Sequence, residues 1–194
     1  MRSVFSLDSL PVSRWRNGGG ETREIIGYPP GTGDFAWRAS IATIASDGPF
    51  SAFTGVDRII TLLNGSPVLL RGENVAHRLL PEKPWAFAGE QALEAQLQGK
   101  APSQDFNIMT RRGEWRAQAD VVTDAVSSEH GVAWVLAGEW RIVNDAPLAE
   151  QHGVWWVDHP TRLQPDSQDA RLLFIRLTRA FKAPQQLVTR AGIE

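Results

Sequence analysis

The sequence predicts an all-β chain of 194 residues, folded as two related barrel-like halves. Three observations carry that reading. Turn signals recur roughly every 8–15 residues, as in sandwiches and barrels. They include Asn17-Gly18-Gly19-Gly20, Pro29-Pro30-Gly31, Asp47-Gly48-Pro49, Asn64-Gly65, Gly113, Gly138 and Asn144-Asp145. Between them lie short runs of Ile, Val, Leu, Thr, Phe and Trp, residues that suit a pleated, half-buried surface. Finally, one strand–turn–strand unit occurs twice.

Along the chain, Ser3 to Leu10 can form a single helical turn. Gly18-Gly19-Gly20 is followed by Glu21-Thr22-Arg23-Glu24-Ile25-Ile26, which reads as a strand. A phosphate loop needs a helix at that point, and usually Gly-Lys-Ser/Thr. The glycines are therefore read as a tight turn needing positive φ or close backbone approach. Phe35 to Ile44 forms the next strand. The run Ile59 to Leu63, Asn64-Gly65, then Pro67 to Leu70, is matched by Val132 to Leu136, Ala137-Gly138, then Trp140 to Val143. Aromatic strands follow each unit, carrying Trp85 and Phe87, then Trp155 and Trp156. Each half is expected to end in a further strand, Leu93 to Leu97 and Leu172 to Leu177. Segment 145–151 is a second candidate helical turn.

Composition narrows the function. The chain is 42% hydrophobic, with eight Trp and eight Phe against one Tyr. Indoles fill cores or line pockets. A net charge of −2 and the absence of a basic run exclude a nucleic-acid groove, which needs a concentrated cationic face. No Cys is present, which fits a reducing compartment. The first residues carry Asp8 and Pro11 and do not resemble a signal peptide. No run approaches the ~18 apolar residues of a membrane span. A cytoplasmic protein with no membrane partner is expected.

Strand, tight turn, strand, aromatic strand, strand is the core order of a cupin half. Two such halves give an RmlC-like bicupin: 1–112, 113–180, and a polar tail at 181–194, with N-terminal strands free to swap between halves. Many cupins hold a metal with a paired His-x-His and a carboxylate. Here His77, His130, His152 and His159 stand apart, so no metal and no cofactor is expected.

Side chains of a strand alternate between faces. In Phe35 to Ile44 one face carries Phe35, Trp37, Ala39 and Ile41; the other carries Ala36, Arg38, Ser40, Ala42 and Ile44. In Asp105 to Arg111 one face carries Asp105, Asn107, Met109 and Arg111. Thr22 and Glu24 share a face, and Arg58 opens the apolar strand Ile59 to Leu63. For any one strand, a polar face turned to water is the commoner case. Several strands each offering polar groups among small or apolar ones suggest a polar barrel lumen, where such groups need a partner or a ligand.

The same residues carry a resemblance. Trp15-Arg16-Asn17-Gly18-Gly19-Gly20-Glu21-Thr22-Arg23-Glu24, then Phe35-Ala36-Trp37-Arg38-Ala39-Ser40-Ile41-Ala42, then Phe50-Ser51-Ala52-Phe53 with Gly55 and Arg58, then Asp105-Phe106-Asn107-Ile108-Met109-Thr110-Arg111, resemble the HutD/Ves family from about Leu7 to Leu177. The second and fourth runs look most like its Ves branch, the triple Gly like its HutD branch. The resemblance implies a bicupin lacking the usual cupin metal ligands. HutD members accompany histidine-utilisation genes and are thought to bind an intermediate such as formylglutamate or urocanate and moderate flux. Ves members are linked to environmental stress. The motif positions carried over are Trp15, Asn17, Thr22, Glu24, Trp37, Arg38, Ser40, Arg58, Asp105, Asn107 and Arg111.

A non-catalytic carboxylate-binding protein is the expected function. Arg38 or Arg58 would grip the carboxylate. Asn107 and Ser40 would add hydrogen bonds, and Trp37 an apolar wall. Glu24 or Asp105 would hold an Arg in place. One alternative is a metal-independent isomerase, lyase or hydrolase using Glu24 or Asp105 as acid or base. The other is an interaction module, with exposed Trp forming an oligomer interface such as a homodimer.

Overall fold

The computed structural model describes residues 1–180, and these contain no α-helix. The predicted tail at 181–194 lies outside the described residues. The chain opens with β1 (Arg2–Ser6) and one 3-10 turn at Leu7–Ser9. Ten strands follow: β2 (Val12–Arg14), β3 (Gly20–Tyr28), β4 (Trp37–Ile44), β5 (Gly48–Phe50), β6 (Val56–Gly65), β7 (Val68–Gly72), β8 (Val75–Leu79), β9 (Trp85–Ala88), β10 (Leu93–Leu97) and β11 (Ser103–Arg111). Eight more are β12 (Trp115–Val122), β13 (Val126–Ser128), β14 (Gly131–Ala137), β15 (Trp140–Ile142), β16 (Pro147–Leu148), β17 (His152–Trp156), β18 (Thr161–Pro165) and β19 (Arg171–Arg179). The helical turn expected over 145–151 is instead the short strand β16 and the turn after it.

Two sheets build each half. The first half pairs a six-stranded sheet, β2-β3-β4-β11-β6-β9, with a four-stranded one, β5-β10-β7-β8. The second pairs β1-β17-β14-β19-β12 with β13-β18-β15-β16. Strand by strand, β4 to β11 make the same neighbours as β12 to β19. For example, β11 lies between β4 and β6, and β19 lies between β12 and β14. The internal repeat is therefore longer than the sequence indicates, and its end is matched differently. Leu93–Leu97 pairs with β7 as β18 pairs with β15, so its counterpart is Thr161–Pro165 rather than Leu172 to Leu177. Strand β1 adds to the second half, running antiparallel to β17 from Arg2↔Trp156 to Ser6↔His152.

Strand alternation then sorts three cores. The outer faces of the two large sheets meet in one apolar layer. Trp37, Ile41, Phe106 and Ile108 come from the first half; Trp115, Trp134, Leu173 and Ile175 come from the second. Trp37 is fully buried there, stacked on Tyr28 at 5.4 Å and edge-on to Trp115 and Trp155. The second lumen is filled by Trp140, Trp156, Leu163, Leu172 and Phe174. The first lumen has an apolar end made of Ile44, Ile60, Leu62, Val68, Leu70 and Leu79. Six of the eight Trp are buried, and Trp15 and Trp85 are half-buried. That removes the exposed Trp cluster an indole-built oligomer interface would need. Glu82 and Arg171 clasp the halves with two hydrogen bonds of 2.9 and 3.0 Å. No helix of the described residues is long and apolar enough to cross a membrane.

Candidate functional site

The first lumen is graded from polar to apolar because three central strands are. Their register sets the layers. Arg38, Met109 and Arg58 are neighbours across β4, β11 and β6; Ser40, Asn107 and Ile60 form the next layer; Ala42, Asp105 and Leu62 the third. Above the apolar end lies a cavity of about 550 Å³. Its deep lining includes Ser40, Arg58, Asp105 and Asn107, all buried. Its rim includes the exposed Arg14, Arg16, Asn17 and Ser51.

The hairpin joining β2 to β3 shapes the rim. Gly18 takes a positive φ of 70°, the conformation that favours glycine. Gly20 is required by space instead: a Cβ there would lie 2.2 Å from the Thr43 carbonyl oxygen and against the Trp15 ring. The Gly19 N–H donates to Asn17 Oδ1 at 2.9 Å, which fixes the turn. Trp15 Nε1 donates to the Thr22 hydroxyl at 2.9 Å, so the indole forms a set wall of the cavity. Both readings of the glycine turn, positive φ and close approach, are thus realised at different glycines.

Arg58 is the central cation, only 4% exposed. Its guanidinium carbon lies 5.4 Å from the Phe50 and Phe53 ring centres and 5.0 Å from that of Phe87. One terminal nitrogen donates to the Ser51 carbonyl at 3.0 Å, while Nε has no partner. Burying a guanidinium is costly, and three π faces offset part of that cost. Burial lowers its pKa to about 10 and the nearby Asp105 opposes the shift, so Arg58 remains charged at neutral pH.

Asp105 is fully buried, and neither carboxylate oxygen has a hydrogen-bond partner. Burial pushes its pKa up to about 7, with Arg58 pulling the other way. The expectation that Asp105 holds an Arg in place is therefore corrected: among the described residues it makes no ion pair. Glu24 does make one. Arg38 Nε donates to Glu24 Oε2 at 2.6 Å, but Glu24 is exposed and outside the cavity. A bulge in β3 between Glu24 and Ile26 shifts the register there.

Of the ten predicted site residues, the cavity gathers Trp15, Asn17, Thr22, Arg38, Ser40, Arg58, Asp105 and Asn107. Trp37 is a second correction. It lies on the opposite face of β4 in the layer between the halves, so it cannot be a wall of the lumen. Arg111 is also outside, donating to the Phe35 carbonyl at 3.2 Å and pairing with Asp34. Strand parity does not point to Phe50, Phe53 or Phe87. The signal available was Phe50-x-x-Phe53 just before Arg58.

A cupin-type metal does not fit this lumen. No His lines the cavity, and its single carboxylate shares it with a buried guanidinium, which disfavours a second cation. The described residues contain one other group of potential ligands, Glu129, His130 and Asp158, in the second half. There His130 Nδ1 accepts the Asp158 N–H at 2.9 Å, and Arg179 takes both Asp158 carboxylate oxygens at 2.7 Å. His130 Nδ1 and both Asp158 oxygens are thus occupied by the protein, while Glu129 is exposed.

Fold and cavity define a two-barrel cupin protein with one open, arginine-centred lumen. The family model for HutD matches residues 8–174. The chain is 43% identical over 178 residues to Protein Ves of Citrobacter koseri, covering 90% of this chain and 93% of that protein. It is equally identical to Protein Ves of Cronobacter sakazakii, covering 90% and 97%. The solved structure of HutD from Pseudomonas fluorescens SBW25 superposes with a TM-score of 0.80 at 26% identity, covering 92% of this chain and 99% of that one. A cupin barrel protein from Leptotrichia buccalis shares the fold, with a TM-score of 0.59 at 11% identity, covering 89% and 95%. The chain belongs to the HutD family.

Proposed function

We propose that the protein binds a small carboxylate in the first lumen and does not transform it. The observation that supports this most is Arg58: a buried, aromatic-caged cation with an unpartnered Nε in a cavity of drug-ligand size. Arg38, oriented by Glu24, supplies a second cation nearer the rim. Ser40 and Asn107 offer hydrogen bonds in the layer next to the two arginines. Formylglutamate and urocanate are candidate ligands, with a cytoplasmic role in moderating histidine utilisation or in stress response. Thermal-shift screening of small carboxylates tests the reading. A ligand at ~100 times its Kd stabilises by about 2.7 kcal/mol. Arg58→Met should abolish the shift. If no carboxylate, these two included, moves the melting temperature, the reading fails.

The raised pKa of Asp105 favours one second reading, metal-independent proton transfer to a bound carboxylate's carbon skeleton. NMR of the same ligands in deuterated buffer separates the two. Deuterium incorporation that is lost in Asp105→Asn would replace binding by catalysis.

A further inference from the structure

The lumen leaves specific groups incomplete. Asp105 has two unpartnered oxygens, Asn107 an unpartnered Oδ1, and Arg58 one unpartnered N–H. An anionic ligand carboxylate completes Arg58. It cannot complete an ionised Asp105, because two carboxylates in a low-dielectric site cannot both stay charged. One proton between them resolves the conflict: a neutral Asp105 donates its O–H to the ligand oxygen, a short charge-assisted bond.

The geometry points to proton-coupled capture, in which the lumen takes a plain carboxylate together with one proton shared between that carboxylate and Asp105, while Arg58 balances the remaining negative charge. This inference rests on the carboxylate-binding reading above and adds the chemical class of the group that reaches the floor. That group is a carboxylate.

The surroundings of Asp105 carry no competing proton acceptor. Its cross-strand neighbours are Ala42 on β4 and Leu62 on β6. Thr22 on β3 stands beyond Ala42. The charged groups lining the cavity are Arg38 from β4, Arg58 from β6, and Arg14 and Arg16 from the hairpin. Asp105 is the single carboxylate among the lining residues, and no His joins it. In the empty lumen Arg58 favours the ionised form of Asp105, against burial. An anion seated on Arg58 cancels that help, so binding draws a proton onto Asp105. The rim arginines suit a second carboxylate, which makes glutarate a fitting probe and acetate a minimal one.

Isothermal calorimetry tests this with glutarate and acetate at pH 7.5, in two buffers of different ionisation enthalpy. The expected result is uptake approaching one proton per ligand. The apparent Kd should rise ~100-fold from pH 6 to pH 9, as the binding-competent protonated fraction falls. In Asp105→Asn the carboxamide still donates to the ligand. Binding should persist there, with no proton uptake and no pH dependence over that range. Binding to the unaltered protein without uptake overturns the inference alone. So does uptake that persists in Asp105→Asn. If neither probe binds by calorimetry or thermal shift, the carboxylate reading itself falls, and this inference with it.

Discussion

Arg58 and Phe87 face each other across the β6–β9 register, and the guanidinium carbon sits 5.0 Å from the ring centre. An edge strand thereby supports the one buried cation of the lumen. Loss of that ring should loosen the cation without emptying the cavity. Phe87→Leu keeps an apolar side chain but removes one π face, a contribution of about 1–2 kcal/mol for a desolvated cation. The expected outcome is a carboxylate affinity weakened by roughly tenfold, with melting lowered only slightly. Calorimetry beside thermal melting checks both.

Asp105 makes stability depend on pH in a definite direction. Its folded pKa, about 7, lies above the unfolded value of 3.8. The folded state therefore binds the extra proton between those values, so this group's contribution to stability falls as pH rises from about 4 to 7, then levels off. Asp105→Asn removes the penalty of ionising a buried acid. Without ligand it should stabilise the protein by up to about 4 kcal/mol at pH 8 and by little at pH 4. Urea titrations at the two pH values measure the difference; equal effects at both would refute it.

Trp37 separates core from cavity. Truncating it to Ala opens a void in the layer between the halves and should cost about 3–5 kcal/mol. The lumen lies on the other side of β4, so a carboxylate that binds the parent protein should still raise the variant's melting temperature. A lost shift in a folded Trp37→Ala would return the residue to the site.

Gly20→Ala probes the hairpin. The added methyl meets the Thr43 carbonyl oxygen and the Trp15 ring. Backbone must move, with an expected cost of about 2–4 kcal/mol. The altered seating of Trp15 should also shift its fluorescence. Gly31→Ala, with positive φ but open space, should cost less than Gly20→Ala.

Much of this was legible from strand parity, because period-two alternation is local. Arg38, Ser40 and Ala42 share the lumen face as their spacing requires, and so do Asp105 and Asn107. That same parity already set Trp37 against Arg38, yet the family motif drew both into one candidate site. Membership of a motif mixes residues that hold a fold with residues that face a ligand. The aromatic cage of Arg58 was hidden for another reason. Phe50 on β5, Phe53 in the loop after it and Phe87 on the edge strand β9 reach the guanidinium together, and register between distant segments is not written in any one of them. The isolation of Asp105 is equally non-local: whether a carboxylate meets an Arg depends on the layer each occupies, and these two stand in different layers.

The pairing of β1 with β17 has a kinetic side. Residues 2–6 are synthesised well before their partners at 152–156. Until then the leading segment has no sheet to join, while β2 to β11 can already assemble. Contacts of such long sequence separation form late and slowly. Joining β1 to β17 is thus a late step in building the second barrel, and it ties together segments far apart in the sequence. A fragment ending near residue 112 would carry that segment as an unpaired, aggregation-prone strand, and deleting residues 1–6 should improve its behaviour in solution.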